Sequence, residues 1–275
     1  MRFTLRKGGR RSQLYVPGNN IKMLYKANTL QADSFIFDLE DSVPLELKNE
    51  TRNIIKRILD SLNWEEKELC VRINSLDTVE GYRDVISVSE MERIDCIVVP
   101  KAAVGISKIY AATGKPLIPL IETGHGVLRV EDIAREEGVC AVSWASGDLA
   151  LSLKGDLKSY DRSDYVAMKV ITTARTYGVE PIDKVFFDLN DSDIFISECE
   201  HAKNLGFSGK QVIHPNQVKV ANKIFSPSED EIAWAQKIIS ALAEATKAGR
   251  GAVKVDGQLV DKVHLEMAKR ILNLM

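Results

Sequence analysis

Short apolar runs recur along the chain at a steady interval, and several of them end in charged residues. The runs are SQLYVPG (12–18), SFIFDLED (34–41), ELCVRIN (68–74), CIVVPK (96–101), PLIPLIE (116–122), AVSWASGD (141–148), DKVFFDL (183–189) and KQVIHP (210–215). Each is dense in Val, Ile, Leu or Phe, as buried parallel strands are. The pattern therefore predicts eight strands.

Helical patterns lie between these runs. Residues 44–62 begin with Pro44, which suits a first helical turn, and residues 163–177 repeat apolar positions at the helical period. Eight alternations of strand and helix predict an α/β fold, a closed (β/α)8 TIM barrel. The rival is an open doubly wound sheet, but GHGVLR (124–129) lacks the third glycine of a dinucleotide-binding loop.

The chain continues beyond the eighth predicted strand. Residues 226–249 predict a long helix with a capping box formed by Ser228 and Glu231. Two short strands follow around an Asp-Gly turn at 256–257, and a last helix spans 264–275. We expect one domain, with the barrel over 1–225 and a C-terminal helix-and-hairpin extension over 226–275.

Composition narrows the class of protein. The 275 residues suit a single barrel, 45% of them are hydrophobic, and the formal net charge is −2. We therefore expect neither a nucleic-acid nor a membrane partner, and no run has the length of a transmembrane helix. The twin arginine near the N-terminus has no apolar stretch behind it, so we expect a cytoplasmic protein.

The four cysteines are far apart in the sequence, at positions 70, 96, 140 and 199. No CxxC pair occurs among them, so neither a zinc site nor a disulfide framework is indicated. We expect four reduced thiols.

Charged residues collect at the predicted strand ends. The stretch FIFDLEDSVP (35–44) leads from a buried strand directly into Asp38, Glu40 and Asp41. Strand ends also supply Arg72, Lys101, Glu122, Asp148 and His214. Active sites of (β/α)8 barrels form where the strands end, so we expect these side chains to meet at one rim.

Carboxylates crowded together repel one another unless a cation lies between them. Mg²⁺ prefers one or two carboxylates with several retained waters, and no Cys/His set is available for zinc. We assign Glu122 and Asp148 as direct Mg²⁺ ligands, with Glu40 and Asp41 holding metal-bound waters. Structural alternatives remain for each residue: Glu122 and Asp148 as helix caps, Asp38 and Arg72 as an ion pair, and His214 as a structural residue.

The same motifs resemble the citrate lyase beta-subunit-like group of the HpcH/HpaI aldolase family. The resemblance runs in order through RRSQLYVPGNN, FIFDLEDSVP, VRIN, PLIET, SGDLA, GFSGKQVIHPNQ, FSPSEDEIAWA and GRGAVKVDGQLVDKVHLEMAKRIL, and so covers nearly the whole chain. It implies a (β/α)8 barrel that uses Mg²⁺ to cleave or form a carbon–carbon bond between acetyl-CoA or propionyl-CoA and a 2-oxo acid. Citryl-CoA, malyl-CoA and citramalyl-CoA are the expected kinds of substrate.

The resemblance also assigns roles to residues. The metal ligands fall on Glu122 and Asp148, the 2-oxo acid contact on Arg72, and Arg11 is expected near CoA or the acid. Related members form trimers, in which an aspartate matching Asp261 reaches the neighbouring site and protonates the enolate. Many members read FGAEDL where this chain reads WASGDL (144–149), so Gly147 stands where an acidic residue is common and the acid specificity is open.

Three other functions are weighed against this one. A citrate lyase subunit would act on an acyl-carrier-protein thioester, although the basic cluster RKGGRR (6–11) favours the phosphates of free CoA. A Schiff-base aldolase would use Lys101, but its carboxylate neighbours hold an amine protonated. A regulatory barrel without activity would not need Arg72, Glu122 and Asp148.

Overall fold

A computed structural model describes residues 9–64 and 66–273. Eight parallel strands close into a barrel in chain order, each hydrogen-bonded to its neighbours in sequence, and β1 pairs with β8. The strands are β1 (Ser12–Pro17), β2 (Ser34–Asp38), β3 (Glu68–Arg72), β4 (Cys96–Val99), β5 (Leu117–Ile121), β6 (Ala141–Trp144), β7 (Glu180–Asp183) and β8 (Gly209–Val212). The TIM barrel predicted from the sequence is confirmed.

Helices surround this barrel. They are α1 (Ile21–Ala27), α2 (Lys48–Ser61), α3 (Val79–Ser89), α4 (Ser107–Thr113), α5 (Gly124–Ala134), α6 (Ser146–Leu153), α7 (Leu157–Asp161), α8 (Asp164–Tyr177), α9 (Ser192–Leu205) and α10 (Pro215–Phe225). The predicted helix over 44–62 is divided, because a short 3₁₀ turn, Leu45–Leu47, precedes α2. None of the helices in the described ranges is long and apolar enough to cross a membrane.

The strands separate two apolar layers by simple alternation. In β2, Phe35 and Phe37 point outward and pack on Trp64 with ring centroids 5.9 and 5.6 Å away, whereas Ile36 points into the barrel beside Cys70. The outer layer against the helices is large and apolar. The apolar cluster of the interior is smaller, and polar side chains lie toward both ends of the barrel.

The predicted seventh strand, 183–189, is wrong in position, because β7 is Glu180–Asp183. Glu180 reads as a strand breaker, but the Arg10 guanidinium neutralises it at the base of the barrel with a 2.5 Å contact. The apolar residues that suggested a strand belong instead to the following loop. There Phe186 packs on Phe195 of α9 with ring centroids 5.7 Å apart.

The expectation of four reduced thiols is wrong for one pair. Cys70 on β3 and Cys96 on β4 form a disulfide inside the barrel, while Cys140 and Cys199 are free and buried. Residues 26 positions apart in sequence become direct partners in the register of two neighbouring strands, with Cα atoms 4.7 Å apart. Spacing along the chain cannot reveal such a pair before the strand register is known.

The extension after the barrel is an arm made of α11 (Glu229–Lys247), β9 (Val253–Val255), β10 (Gln258–Val260) and α12 (Lys262–Leu272). The capping box of Ser228 and Glu231 is present, and the Asp256-Gly257 turn has positive φ at both residues, as predicted. The arm has its own small core, which includes Ile238, Leu242 and Val260. The expected basic cluster at 6–11 lies outside the described residues except for its last three positions.

Candidate active site

Seven charged residues meet at the carboxyl ends of the strands. We call them the rim cluster: Asp38, Glu40, Asp41, Arg72, Lys101, Glu122 and Asp148. Asp38 ends β2, Arg72 ends β3 and Glu122 follows β5, as the sequence predicted. Asp148 was expected to end β6 but lies in the first turn of α6, because β6 ends at Trp144 and the chain turns directly into the helix.

Arg72 is held by a paired contact with Asp38. Its Nε donates to Asp38 Oδ1 at 2.7 Å and its Nη2 donates to Asp38 Oδ2 at 2.9 Å. Burial raises the pKa of Asp38, but these bonds to Arg72 outweigh burial and the pKa lies below its ordinary value. The remaining Nη1 group faces Glu40 Oε2 at 3.0 Å and Asp41 Oδ2 at 3.3 Å, so one edge of the guanidinium points into the site.

Two residues that the sequence analysis did not identify, Tyr15 and Lys48, support Arg72 and the turn after β2. The Arg72 guanidinium lies over the ring of Tyr15, 5.1 Å from its centroid. Lys48 is buried and donates to the carbonyl oxygens of Leu39 and Glu40, both at 2.8 Å, which fixes the turn after β2. The alternation of inward and outward side chains along β1 could have identified Tyr15, which faces inward. No sequence pattern distinguishes Lys48 from the other lysines of the helices.

Lys101 connects three carboxylates of the rim cluster. Its Nζ donates to Glu40 Oε1 at 2.7 Å and lies 3.6 Å from Asp148 Oδ1. Its backbone N–H donates to Glu122 Oε1 at 2.6 Å. Lys101 adopts a positive φ of 47°, a strained conformation for a non-glycine residue that is consistent with a tightly constrained turn.

The charges of the rim cluster do not balance. Five carboxylates face two cations, and Glu40 Oε2 is buried without a hydrogen bond from any described residue, because Arg72 approaches it without hydrogen-bond geometry. Burial, and then the charge of Glu40, raises the pKa of Glu122 to about 8. Burial also raises the pKa of Glu40. The donor set is entirely carboxylate oxygen, which fits a hard divalent cation such as Mg²⁺.

The same charges bear on the Schiff-base alternative. Burial lowers the pKa of Lys101, but the hydrogen bond that Lys101 donates to Glu40 and the charges of Glu40, Glu122 and Asp148 outweigh burial and raise the pKa above its ordinary value. A Schiff-base lysine needs a lowered pKa to be a nucleophile near neutral pH. Lys101 is therefore arranged as a cation and not as a nucleophile.

The start of α6 brings backbone donors to the rim. No side chain caps the helix at Ala145, so the N–H groups of its first turn are available to an anion. Gly147 lies in that turn, and a Cβ placed there would meet only the ring of Phe187, at 3.9 Å. The surface beside Asp148 is thus open at Gly147, the position at which the resemblance led us to expect an acidic side chain in many members.

Two predicted residues lie elsewhere. Arg11 precedes β1 at the opposite, amino end of the barrel, where it pairs with Asp33 at 2.7 Å and donates to Ser226. Arg11 therefore does not join the rim cluster of its own chain, and its expected role near CoA or the acid stays a prediction. His214 caps α10 through Nδ1, which accepts from the N–H of Asn216, and so has the structural role that was weighed for it.

Asp261 is not part of the rim cluster of its own chain in the contacts of the described residues. It caps α12, accepting from the N–H of Val263 at 3.0 Å, and its side chain is 50% exposed. The hydrogen bond from His264 lowers its pKa. Between the barrel and Asp261 runs α11, whose 19 residues span about 28 Å.

A family model identifies the relationship. The model of the HpcH/HpaI aldolase/citrate lyase family matches residues 11–215, which include all eight barrel strands from β1 to β8. The chain belongs to the HpcH/HpaI aldolase/citrate lyase family. The resemblance expected from the sequence is confirmed.

Relatives and solved structures of this family agree over nearly the whole chain. A (3S)-malyl-CoA thioesterase from Cereibacter sphaeroides is 34% identical over 95% of this chain and 93% of its own. A mitochondrial citramalyl-CoA lyase from Mus musculus is 32% identical over 96% and 86%. The crystal structure of CitE from Mycobacterium tuberculosis with magnesium, acetoacetate and coenzyme A superposes with a TM-score of 0.82 at 27% identity, covering 96% and 97%.

Proposed function

We propose that this protein is a Mg²⁺-dependent lyase that cleaves or forms the carbon–carbon bond of a β-hydroxyacyl-CoA, yielding acetyl-CoA and a 2-oxo acid. Citramalyl-CoA, malyl-CoA and citryl-CoA are the candidate substrates. The observation that carries the proposal is the surplus of carboxylates in the rim cluster of a family member. Relatives named for malyl-CoA and citramalyl-CoA support the substrate class.

Glu122 and Asp148 would hold the cation, with Glu40 and Asp41 on its bound waters. A divalent cation supplies Lewis-acid stabilisation of negative charge on substrate oxygens. The side chain of Asp148 is 34% exposed and that of Lys101 equally so, which leaves this edge of the cluster open to a ligand. Glu122, 1% exposed, forms the floor.

Arg72 and the start of α6 would bind the acid part of the substrate. The Nη1 group of Arg72 is the one guanidinium edge that Asp38 does not use, so it can stabilise the oxygen that becomes the ketone. The N–H groups around Gly147 can hold the acid carboxylate. The open wall at Gly147 leaves room for an acid with a substituent on its reacting carbon.

Asp261 would exchange the proton with the enolate of the CoA thioester in a neighbouring subunit of a homotrimer. Three apolar residues near it, Leu259, Val263 and Met267, are 71%, 59% and 48% exposed, which suits a surface that docks on another chain. In the free arm His264 keeps the Asp261 pKa low. Burial against a neighbouring barrel would raise that pKa, so that the carboxyl group would be protonated more often and would have a proton to give to the enolate.

Complementation between two inactive variants tests the role of Asp261. Asp261→Asn and Glu122→Gln should each be inactive as homo-oligomers. Refolded together, they form some sites that combine an intact Glu122 with a neighbour's intact Asp261, so activity should return. If mixed oligomers form and activity stays at the level of the separate variants, Asp261 does not act across an interface.

The function itself is tested with a panel of β-hydroxyacyl-CoA esters and Mg²⁺. Free CoA, acetyl-CoA and 2-oxo acid are measured separately, because the malyl-CoA thioesterase relative makes hydrolysis a specific second candidate. Lyase activity gives acetyl-CoA and the 2-oxo acid in equal amounts. Free CoA with no 2-oxo acid would identify a thioesterase, and no turnover of any ester would contradict the proposal. An acyl-carrier-protein thioester in the same panel tests the citrate lyase alternative.

A further inference from the structure

A second group of charged residues lies between the barrel strands β7 and β8 and the helices that cover them. We call it the wall cluster: Asp161, Asp183, Lys184, Glu198 and Lys210. The side chains of Lys184 and Lys210 are only 3% and 0% exposed. Lys210 Nζ contacts Asp183 Oδ2 at 2.5 Å and Glu198 Oε2 at 3.6 Å. The cluster therefore joins β7 and β8 to α9.

Lys184 extends this cluster toward the site. Its Nζ lies 3.2 Å from Glu198 Oε2 and 3.4 Å from Asp161 Oδ1. It also lies over the ring of Trp144, 5.6 Å from the centroid. Trp144 Nε1 donates to Asp183 Oδ1 at 3.0 Å, so the last residue of β6 is fixed by the same cluster.

Asp161 is the point where the wall cluster meets the site. The hydroxyl of Ser146 donates to Asp161 Oδ1, and Ser146 is fully buried. Ser146 is the first residue of α6, and the metal candidate Asp148 follows two positions later in the same turn. Because α6 has no side-chain cap, the Ser146 bond is a side-chain contact that ties this turn to α7 and, through Asp161, to the wall cluster.

The geometry points to Asp161 as a positioning residue. We propose that Asp161, oriented by Lys184, holds Ser146 and so fixes the first turn of α6, which presents Asp148 and the N–H groups around Gly147 to the ligand. This inference rests on the proposed function, because it assumes that Asp148 binds Mg²⁺. It adds a residue outside the rim cluster on which metal affinity depends.

A purely structural role of Asp161 predicts a different experimental result. Asp161 has 27% of its side chain exposed and borders a cavity of about 470 Å³, so replacing its charge does not disturb the apolar core. Asp183 and Lys210, the closest ion pair of the wall cluster, are not altered. Groups that orient a metal ligand typically change metal affinity 10- to 100-fold when removed. A structural role would change only the unfolding temperature.

The test compares Asp161→Asn with Asp164→Asn. Asp164 borders the same cavity but contacts His201 at the surface and has no bond to α6, which makes it the matched control. Mg²⁺ affinity is measured by calorimetry without substrate, with activity and thermal unfolding alongside. Asp161→Asn should weaken Mg²⁺ binding roughly 10-fold with little change in unfolding temperature. Asp164→Asn should bind as the wild type.

Ser146→Ala provides a second, independent variant. It should weaken Mg²⁺ binding to a similar degree, and the double variant with Asp161→Asn should be no worse than either single one. Both weaken the same link, because the alanine removes the donor and the asparagine removes the charge that accepts from Ser146 and pairs with Lys184. Additive effects, or wild-type affinity in both single variants, would overturn the inference. Glu122→Gln separates this failure from failure of the proposed function. If Glu122→Gln alone loses Mg²⁺, only the Asp161 inference fails; if it also binds normally, the metal site fails.

Discussion

The two ends of the barrel interior both bury charge, but they do so in opposite ways. At the amino end Arg10, Glu68 and Glu180 form what we call the base cluster. Arg10 donates to both carboxylate oxygens of Glu68, at 2.8 and 2.7 Å, and to both of Glu180, through its backbone and its side chain. Every carboxylate oxygen of the base cluster therefore has a partner within the chain.

At the carboxyl end the rim cluster leaves its carboxylates short of cations. Arg72 is largely used by Asp38, and Lys101 is shared between Glu40 and Asp148. The pKa of Glu122 consequently rises to about 8, chiefly by burial. This difference distinguishes a structural charge cluster from a binding site. In a structural cluster every charge has a partner within the chain, whereas in a binding site a ligand or cation supplies the missing partner.

The largest expected effect comes from removing a rim carboxylate. Glu122→Gln keeps the size of the side chain but removes a negative charge from the metal site. We expect turnover to fall at least ~1,000-fold, about 4 kcal/mol of barrier, while the barrel stays folded. Steady-state kinetics with saturating Mg²⁺ measures the loss. Wild-type turnover would remove Glu122 from the metal site.

A substitution in the base cluster should lower stability and leave activity unchanged, the opposite of the result expected for Glu122. Arg10→Met leaves two buried glutamates without their partner, so the free energy of unfolding should fall by roughly 3 kcal/mol. Activity per folded molecule should be unchanged, since the base lies at the far end of the barrel. Denaturant unfolding with an active-site titration separates the two quantities. A loss of activity without a loss of stability would contradict this division.

Arg72 combines the roles of the two clusters, because it forms a structural ion pair with Asp38 and also faces the ligand. A lysine cannot satisfy Asp38 with two parallel bonds and still present a donor to the substrate. Arg72→Lys should lower kcat/KM at least ~10-fold, about 1.4 kcal/mol. Wild-type kinetics in this variant would make Arg72 purely structural.

The smallest expected effect is on stability without metal. Because the pKa of Glu122 is raised from 4.5 to about 8 in the folded chain, its contribution to stability is full below pH 4.5 and is lost as the pH rises through about 8. In EDTA at pH 8, Glu122→Gln should therefore unfold at a higher temperature than the wild type, because the glutamine has no charge to bury. The gap should close near pH 4.5. A lower unfolding temperature at pH 8 would show that the carboxylate is not destabilising.

The sequence predicted those features that depend on local rules. Eight apolar runs indicated the barrel, the Asp256-Gly257 pair indicated a tight turn, and strand-end charges indicated the rim cluster. Features that depend on register or on distant partners escaped. The Cys70–Cys96 pair needed the alignment of two strands, and β7 was shifted because the charge of Glu180 is neutralised by a residue 170 positions away.

The site shows the same limit. Arg72, Glu122 and Lys101 were found because each ends a strand or follows one within two residues. Arg11 lies away from the rim cluster because it directly precedes β1 and so lies at the amino end of the barrel, whereas the rim cluster lies where the strands end. The hydrogen bond from Ser146 to Asp161 joins side chains in two helices, so the spacing of residues along the chain could not predict it.

Magnesium binding to the metal-free protein tests the account most directly. Calorimetric titration would compare the wild type with Glu122→Gln, Asp148→Asn and the surface control Asp164→Asn, all checked for folding by thermal unfolding. We expect one Mg²⁺ per chain in the wild type and in the control, and no measurable binding in the two rim variants. Mg²⁺ binding of wild-type strength in both rim variants would contradict the account.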